Sequence, residues 1–564
     1  MKRLISFIAT LLFLILSQTA TGSTTWTLNG KDYLVDTLFH AYIGPGTTLT
    51  SLKLEGPVKF RIFYTTTDLT EKYVDVRGIK HTDRLVGVST ISEAMESHDT
   101  ENRNYFAGVN ADFFSQSSPC GITVIDREVY GSEQSSGWYL FGMNENKLPM
   151  IGSGELSVNV TLSSGESMNS RKFNRNGNID ELVVYSHRFG ENTATDSQVA
   201  EATVYPINAD NTLIPGTTVT MQVQGSATTG GSTPIPEGGY ILSGKGQAAS
   251  FLKKLSANDE IKVKCAVRFD GITGGKVTQA LGGCPPILSN GNVLATDNVL
   301  DHLSTAQPRT AVGFNAELTK LVMLVADGRS SISVGPISKV LAGMMKCAGC
   351  SEALNFDGGG SSEMYVDKLG IVNVPSDGKE RQVTNGLYLS TDAPQDSQIA
   401  QIRFKDYAKT MDVGESYTPV IYGYNQYGVL IDTNVDGARL NTADGKTFIP
   451  EAPGCYALTA SYNGLSTSIA VTVGKSGGIN RPENQPAICY PNPVKKGNDI
   501  HLTAMTGNIV ITIFGYDGKQ YLSSEFKNTN GTININTQNL QAGPYIVSAK
   551  NNSGIRTFPI IIIE

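Results

Sequence analysis

Four stretches of this sequence set small, polar and acidic residues directly behind apolar runs. They are Gly108-Val109-Asn110-Ala111-Asp112-Phe113-Phe114, the Gly282–Leu288 segment, Pro308-Arg309-Thr310-Ala311-Val312-Gly313, and Ala326-Asp327-Gly328-Arg329 together with the loop Asn355–Ser362. Taken singly, each reads as structure, because Asn-x-Asp and Asp-Gly are ordinary turn chemistry and a triple glycine marks a tight bend. Taken together they suggest an anion site. Three glycines and two serines after a strand (Gly358, Gly359, Gly360, Ser361, Ser362) allow consecutive backbone N–H groups to converge on a phosphate. The loop lacks the Gly-Lys-Ser/Thr ending of a nucleotide-binding loop, which argues against an ATP or GTP enzyme. Arg309 offers the planar fork that matches two phosphate oxygens, with an ordinary salt bridge as the alternative.

The elements that must hold these residues are clearest between Leu318 and Asp357. Leu321–Val325 has the continuous apolar character of a buried strand, and Ile337, Val340, Leu341 and Met344 recur at helical spacing from Pro336 to Met345. Pro336 suits a first turn and Gly349 a stop. Ala353–Phe356 is a second short strand. Strand, helix, strand predicts a crossover between parallel strands, which places Asp327 and Asp357 just past two strand ends on one sheet edge.

Lys2 and Arg3 precede an apolar run from Leu4 to Leu16, followed by Ala20 and Gly22, so residues 1–22 read as a signal peptide. The run is shorter than the roughly 20 residues of a membrane span, and no later stretch approaches that length, so none is expected after signal removal. A net charge of −7 without basic blocks gives no footprint for nucleic acid. An extracytoplasmic location follows: periplasm, cell surface or secreted.

The length of 564 residues suggests about three or four domains. The predicted fold class is α+β, with a mixed-sheet catalytic domain at 23–393 followed by two all-β sandwich modules. The first is an Ig-like module at 396–473, a Gly/Pro linker covers 474–487, and the second module fills 488–564. The 23–393 unit is expected to fold with residues 396–564 removed. Seven cysteines form no dense framework. Cys347-Ala348-Gly349-Cys350 reads as redox or zinc chemistry, as a local disulfide, or as two small residues at a helix end, and no partner motif accompanies it. Of the six histidines only His302 lies near the motifs.

Five ordered islands carry a resemblance to the phosphodiester glycosidases. They are Asn110–Phe114, Gly282–Leu288, Arg309–Gly313, Asp327-Gly328-Arg329 and Asn355–Ser361, with Pro375–Gly378 and Arg381–Asn385 similar to the family's closing segments. The resemblance implies hydrolysis of a sugar-1-phosphodiester at the anomeric carbon. It implies Asp357, Asp327 and then Asp112 as carboxylates for water activation or oxocarbenium stabilisation, and Arg309 with the glycine loop for the departing phosphate. Asn110, Gly283, Asn355, Arg381 and Asn385 join the loop as substrate-binding residues. No cofactor is required, and the aspartates leave room for a divalent cation without fixing its ligands. The alternatives are a non-catalytic surface protein that binds phosphorylated glycans and a phosphodiesterase that cleaves the P–O bond. Tyr490–Val494, Gly515–Lys519 and Leu540–Val547 resemble the type A sorting tail of the type IX secretion system of Bacteroidota, which implies the export machinery as a partner.

Overall fold

The computed structural model describes residues 24–564 apart from 81, 135–136, 209–211, 271–275, 295–302, 407, 475–488, 491–493, 516–519, 542, 552–553 and 564. The leader, His302, nearly all of the 474–487 linker and parts of the three tail motifs lie outside the described residues. Strands take 51% and helices 6%, so the chain is mostly β and the α+β class holds only approximately. Among the described residues no helix is long and apolar enough to cross a membrane.

Eight elements position the candidate site. In chain order they are β1 (Asn104–Asn110), β2 (Val277–Gly283), β3 (Arg309–Phe314), β4 (Lys320–Ala326), α1 (Ser338–Cys347), β5 (Glu352–Asn355), β6 (Met364–Val366) and β7 (Gly386–Thr391). The apolar run of β4 is continuous because both faces of its sheet are covered. Leu321, Met323 and Val325 pack into one core with Phe106, Val109, Leu387 and Leu389, whereas Val322, Leu324 and Ala326 pack into another with Leu341, Met344 and Met345 of α1. The layers are therefore helix, nine-stranded sheet, and a five-stranded sheet containing β6, β1 and β7.

The two strands joined by α1 do run parallel, but they are not neighbours. β3 lies between them and is antiparallel to both, with Arg309 opposite Ala326 and Ala311 opposite Asn355. The cause is local. Asn315 Oδ1 accepts from the Thr319 and Lys320 N–H groups, and Leu318 takes φ +57°, which closes β3 and β4 into a tight hairpin before the crossover begins. The expected shared edge survives, and because β3 runs the other way it brings Arg309 to the same end as Asp327 and Asp357.

Helix α1 starts two residues later than the periodicity suggested, with Ile337 as its N-cap. It ends where expected. The Cys350 N–H donates to the Met345 carbonyl and the Gly349 N–H to the Lys346 carbonyl, and Gly349 has φ +98°, the left-handed cap that glycine adopts without strain. Cys347 and Cys350 are unbonded, one exposed and one buried in the core under α1, so this C-x-x-C is the end of a helix.

Contacts divide the chain into two units. One comprises 25–405 with 420–436, and the other comprises the remaining described residues of 406–419 and 437–564. The strands Gln401–Phe404, Ile421–Tyr424 and Leu430–Asp432, read from sequence as part of the 396–473 module, thus fall with the first unit. Tyr422, Tyr424 and Leu430 are buried with Ala41, and the Tyr424 hydroxyl donates to the Tyr42 carbonyl at 2.8 Å. The second unit is all β. Its C-terminal sheet is built on the long strands Asp499–Gly515 and Gln520–Asn536, around a core that includes Ile511, Ile513, Val547 and Ile560.

This division replaces the cut expected at 396. Burying a large apolar side chain contributes about 1.5–3 kcal/mol, so a chain ending at Gln395 should lose a substantial part of its margin with Tyr422, Tyr424 and Leu430. A chain ending at Asp436 should keep it. Thermal unfolding of the two truncations is expected to separate them by 10 °C or more, roughly, and equal midpoints would contradict this boundary.

Candidate active site

Three sheets end at one place. The ends of β4 and β5 and the start of β3 supply Asp327, Asp357 and Arg309. The end of β1 and the residue before β7 supply Asn110, Asp112 and Asn385, with Gly386 in register with Asn110. The end of β2 supplies Gly282 and Gly283.

Asn110 binds these layers together and is fully buried. Its Nδ2 donates to the Asp357 carbonyl at 2.7 Å, and its Oδ1 accepts from the Thr310 hydroxyl at 2.7 Å and the Glu363 N–H at 3.2 Å. Asn385 Oδ1 accepts from the Asp112 N–H, and Asn355 Nδ2 donates to the Cys284 carbonyl. A Cβ on Gly283 would stand 2.7 Å from Leu354 Cδ2 and 2.8 Å from the Asn355 carbonyl, so this glycine permits close packing. These four residues set the frame of the site.

The three aspartates are not equivalent. Asp357 is only partly buried. Burial pushes its carboxyl up to about 6, against the opposing pull of Ser361, the Gly358 N–H, Arg381 and Arg309. Asp112 is buried, and desolvation raises it to about 7 despite the Gly121 and Gly282 amides and Arg175, with the charge of Asp357 adding to the rise. Asp327 is buried as well. Its Oδ1 accepts from the Val374 N–H at 3.0 Å and Asn373 Nδ2 at 3.2 Å, anchoring the following loop, and burial raises its carboxyl as well. The Asp357 N–H donates to the Ala111 carbonyl at 2.8 Å, next to Asp112, while Asp327 is tied to the loop at Asn373 and Val374.

The glycine loop differs from the expected anion nest. The Gly358 N–H donates to its neighbour Asp357 Oδ1, the Gly359 N–H to the Pro308 carbonyl, and the Ser361 and Ser362 N–H groups to carbonyls of the loop itself. Most of the amides are engaged, because the loop turns as a short 3₁₀ segment over Gly359–Ser361. Two of its glycines answer to guanidinium groups instead. A Cβ on Gly359 would lie 3.1 Å from Arg329 Nη2 and one on Gly360 would collide with Arg381 and Asp377, whereas one on Gly358 would stand 3.0 Å from the Pro308 carbonyl oxygen, with Arg309 Nη1 at 3.7 Å. Gly359 also has φ +65°.

Arg309 lies beneath the loop, 1% exposed, with Nε donating to the Pro336 carbonyl and Nη2 to the Thr305 carbonyl. Its guanidinium is thus bound to the scaffold and acts on Asp357 through its charge. Arg381 holds Asp377 from Nε at 2.8 Å and from Nη2 at 2.5 Å.

Buried polar atoms without a hydrogen-bond partner gather here. Asp327 Oδ2, Asn355 Oδ1, Ser362 Oγ, Glu363 Oε2 and Asn385 Nδ2 are among them. Such groups are costly to leave unmade, and their concentration at one sheet end marks a place shaped for something other than stability.

Four contributors were not singled out as site residues. Lys80 is buried, donates to the Thr384 carbonyl at 2.7 Å, and is pulled down to about 7 by desolvation. Arg175 donates to the Ser132 and Pro119 carbonyls and the Ser118 hydroxyl, and its charge reaches Asp112. Glu363 is buried, accepts from the Arg381 N–H, and is raised to about 8 by desolvation. Arg329 stood in a quoted motif without a role. Neither Lys80, which follows Val76-Arg77-Gly78-Ile79, nor Arg175 stands in a segment that the sequence marks as a motif. Among the described residues no group of three or more His, Cys, Asp or Glu side chains is arranged to hold a metal ion.

Residues 216–390 match the family model for phosphodiester glycosidases, and residues 488–564 match that for the secretion system C-terminal sorting domain. The first match takes in Arg309, Asp327, Arg329, Asp357 and Arg381 but not Asn110 or Asp112. An SPbeta prophage-derived uncharacterized protein of Bacillus subtilis (strain 168) is 36% identical over 102 residues, 18% of this chain, and the chain spans only 16% of that relative's length. A Burkholderia pseudomallei protein described as exported shares the fold at TM-score 0.50 and 17% identity, over 66% of this chain and 99% of its own. The zebrafish N-acetylglucosamine-1-phosphodiester alpha-N-acetylglucosaminidase catalytic domain aligns at TM-score 0.32 and 11% identity, over 63% and 87%. The sorting domain marks the chain for the cell surface or extracellular space.

Proposed function

We propose, for a chain whose residues 216–390 carry the phosphodiester glycosidase match, that it hydrolyses the glycosidic bond of a sugar-1-phosphodiester and releases free sugar and a phosphomonoester. One observation carries the reading: a single loop has a partly exposed carboxylate at its start, Asp357, and guanidinium groups packed along its glycines. A sugar carbon developing positive charge suits the first, and a departing phosphate suits the second.

The economy of the site fits this bond. Most glycosidases need a carboxylic acid to protonate the leaving oxygen and a second carboxylate at the anomeric carbon. A phosphate monoester, with its second pKa near ~6, leaves without strong acid help. One accessible carboxylate then suffices. In this reading ionised Asp357 activates water or meets the oxocarbenium carbon, and Asp112 holds a proton to about 7 and sets the field around it. The C1–O bond breaks with its electron pair going to the phosphate oxygen. Water supplies the new C1–O bond, and its proton passes to the phosphomonoester. Asn110, Ser361 and Ser362 hold the loop, the sorting tail delivers the chain to the surface, and no cofactor enters the scheme.

The test is incubation with a panel of sugar-1-phosphodiesters. Free sugar together with the phosphomonoester of the other alcohol is the expected product pair. Sugar phosphate as product would assign the chain to P–O-cleaving phosphodiesterases, and tight binding without turnover across the panel would make it a glycan-binding surface protein.

A further inference from the structure

The three guanidinium groups at the glycine loop differ in how much of their capacity is already engaged. Arg309 is buried and donates to two backbone carbonyls. Arg381 is ion-paired with Asp377. Arg329 is exposed and forms no ion pair among the described residues, and its side-chain partners are both neutral: Nε donates to Gln307 Oε1 at 2.7 Å and Nη1 to Ser376 Oγ at 3.2 Å. Two neutral acceptors orient the fork without cancelling its charge.

The backbone is shaped to the same end. Arg329 sits at φ +59°, a conformation that a side-chain-bearing residue adopts at a cost, inside the turn closed by the Arg329 and Ser330 amides onto the Val334 and Ser333 carbonyls. That turn directs the remaining nitrogen, Nη2, to within 3.1 Å of where a Cβ on Gly359 would stand. Any residue larger than glycine at 359 would crowd it, two residues along from Asp357.

We propose that Arg329 is the residue that recognises the phosphate of the substrate and of the phosphomonoester product, through a non-bridging oxygen bound at Nη2 over Gly359, and so sets the preference for phosphodiesters over other glycosides. This rests on the glycosidase reading for its substrate but not for its chemistry, since an oriented guanidinium with no carboxylate partner binds a phosphate oxyanion whether or not a sugar is cleaved.

The experiment is titration calorimetry of the full chain with inorganic phosphate and with glycerol 3-phosphate, in wild type, Arg329→Gln and Arg329→Lys, alongside turnover of a sugar-1-phosphodiester. Wild type should bind both anions. Arg329→Gln should weaken both by about tenfold or more, with Arg329→Lys in between because it keeps the charge and loses the fork. For the diester the loss should fall on KM more than on kcat, and the unfolding midpoint should stay put because the side chain is exposed. Unchanged anion affinity in Arg329→Gln, or no anion binding by wild type, overturns the proposal even where free sugar is released. Anion binding that depends on Arg329 in a chain that releases no sugar upholds it and removes the glycosidase reading instead.

Discussion

Asp357→Asn should lower turnover of a sugar-1-phosphodiester by roughly 100-fold or more, the scale expected when a catalytic acid–base or charge-stabilising group is lost. The amide keeps the shape and one acceptor for the Gly358 N–H, so the loop should stay closed and the unfolding midpoint should change little. The pH profile separates this from a structural loss. Only the ionised carboxylate acts, and burial raises Asp357 to about 6. In wild type kcat/KM should therefore fall tenfold per pH unit below about 6 and level off above it. In Asp357→Asn that acid limb should vanish from whatever rate remains. Retention of the limb would move the essential base elsewhere, with Asp112 first in line, and near-wild-type rates would remove the centre of the mechanism.

Gly282→Ala should be nearly as damaging, by a different route. Its Cβ would run into both carboxylate oxygens of Asp112, which is 1% exposed and has no open space to retreat into. The backbone of Gly121 also lies close against this position, since a Cβ placed on Gly121 would stand 2.6 Å from the Gly282 Cα. Overpacking of this kind costs about 1–3 kcal/mol. The double variant Gly282→Ala with Asp112→Ala removes the obstructing carboxylate, so its midpoint should recover most of what Gly282→Ala loses. This non-additivity is what contact between the two residues requires. Additive losses would mean that Gly282 is intolerant for some reason other than Asp112. Because the folded-state pKa of Asp112 is raised, its protonated form stabilises the fold below the unfolded value near 3.8, and that contribution is lost as pH rises through about 7.

The sequence reading located this site through its strand-terminal residues. Asp327 and Asp357 each follow an apolar strand, and parallel strands joined by one crossover end at one sheet edge, so the pattern placed these two together. The arrival of Arg309 at that edge depends on the antiparallel β3, which the pattern did not show. The separate roles of the three were not legible in it either. Whether a carboxylate faces a cleft or a loop amide depends on contacts such as Asn373 and Val374 with Asp327, which no spacing encodes. The glycine loop shows the same limit. Its composition suggested free amides, but three glycines in a row serve equally to let side chains approach, and here guanidinium groups occupy that space. Arg329 was legible as a motif member and became a candidate ligand only once its partners proved to be neutral.

The fold was read best where both faces of a strand are buried and worst where the chain changes partner. Alternation in β4 sorts cleanly into two cores. The hairpin that inserts β3 between two parallel strands was missed because it depends on Asn315 turning the chain, a local choice that a strand–helix–strand pattern overrides on paper. The three strands between 401 and 432 carry ordinary strand text, and nothing in it says that Tyr424 will reach back to the Tyr42 carbonyl.

The central claim is that the bond broken is the one between the sugar and its phosphate oxygen. Turnover of a sugar-1-phosphodiester in ¹⁸O-enriched water, with both products weighed by mass spectrometry, tests it most directly. The account predicts ¹⁸O at the anomeric hydroxyl of the free sugar, in molecules trapped before exchange with solvent, and none in the phosphomonoester. Label in the phosphate with an unlabelled sugar would place the cleavage at phosphorus and contradict it.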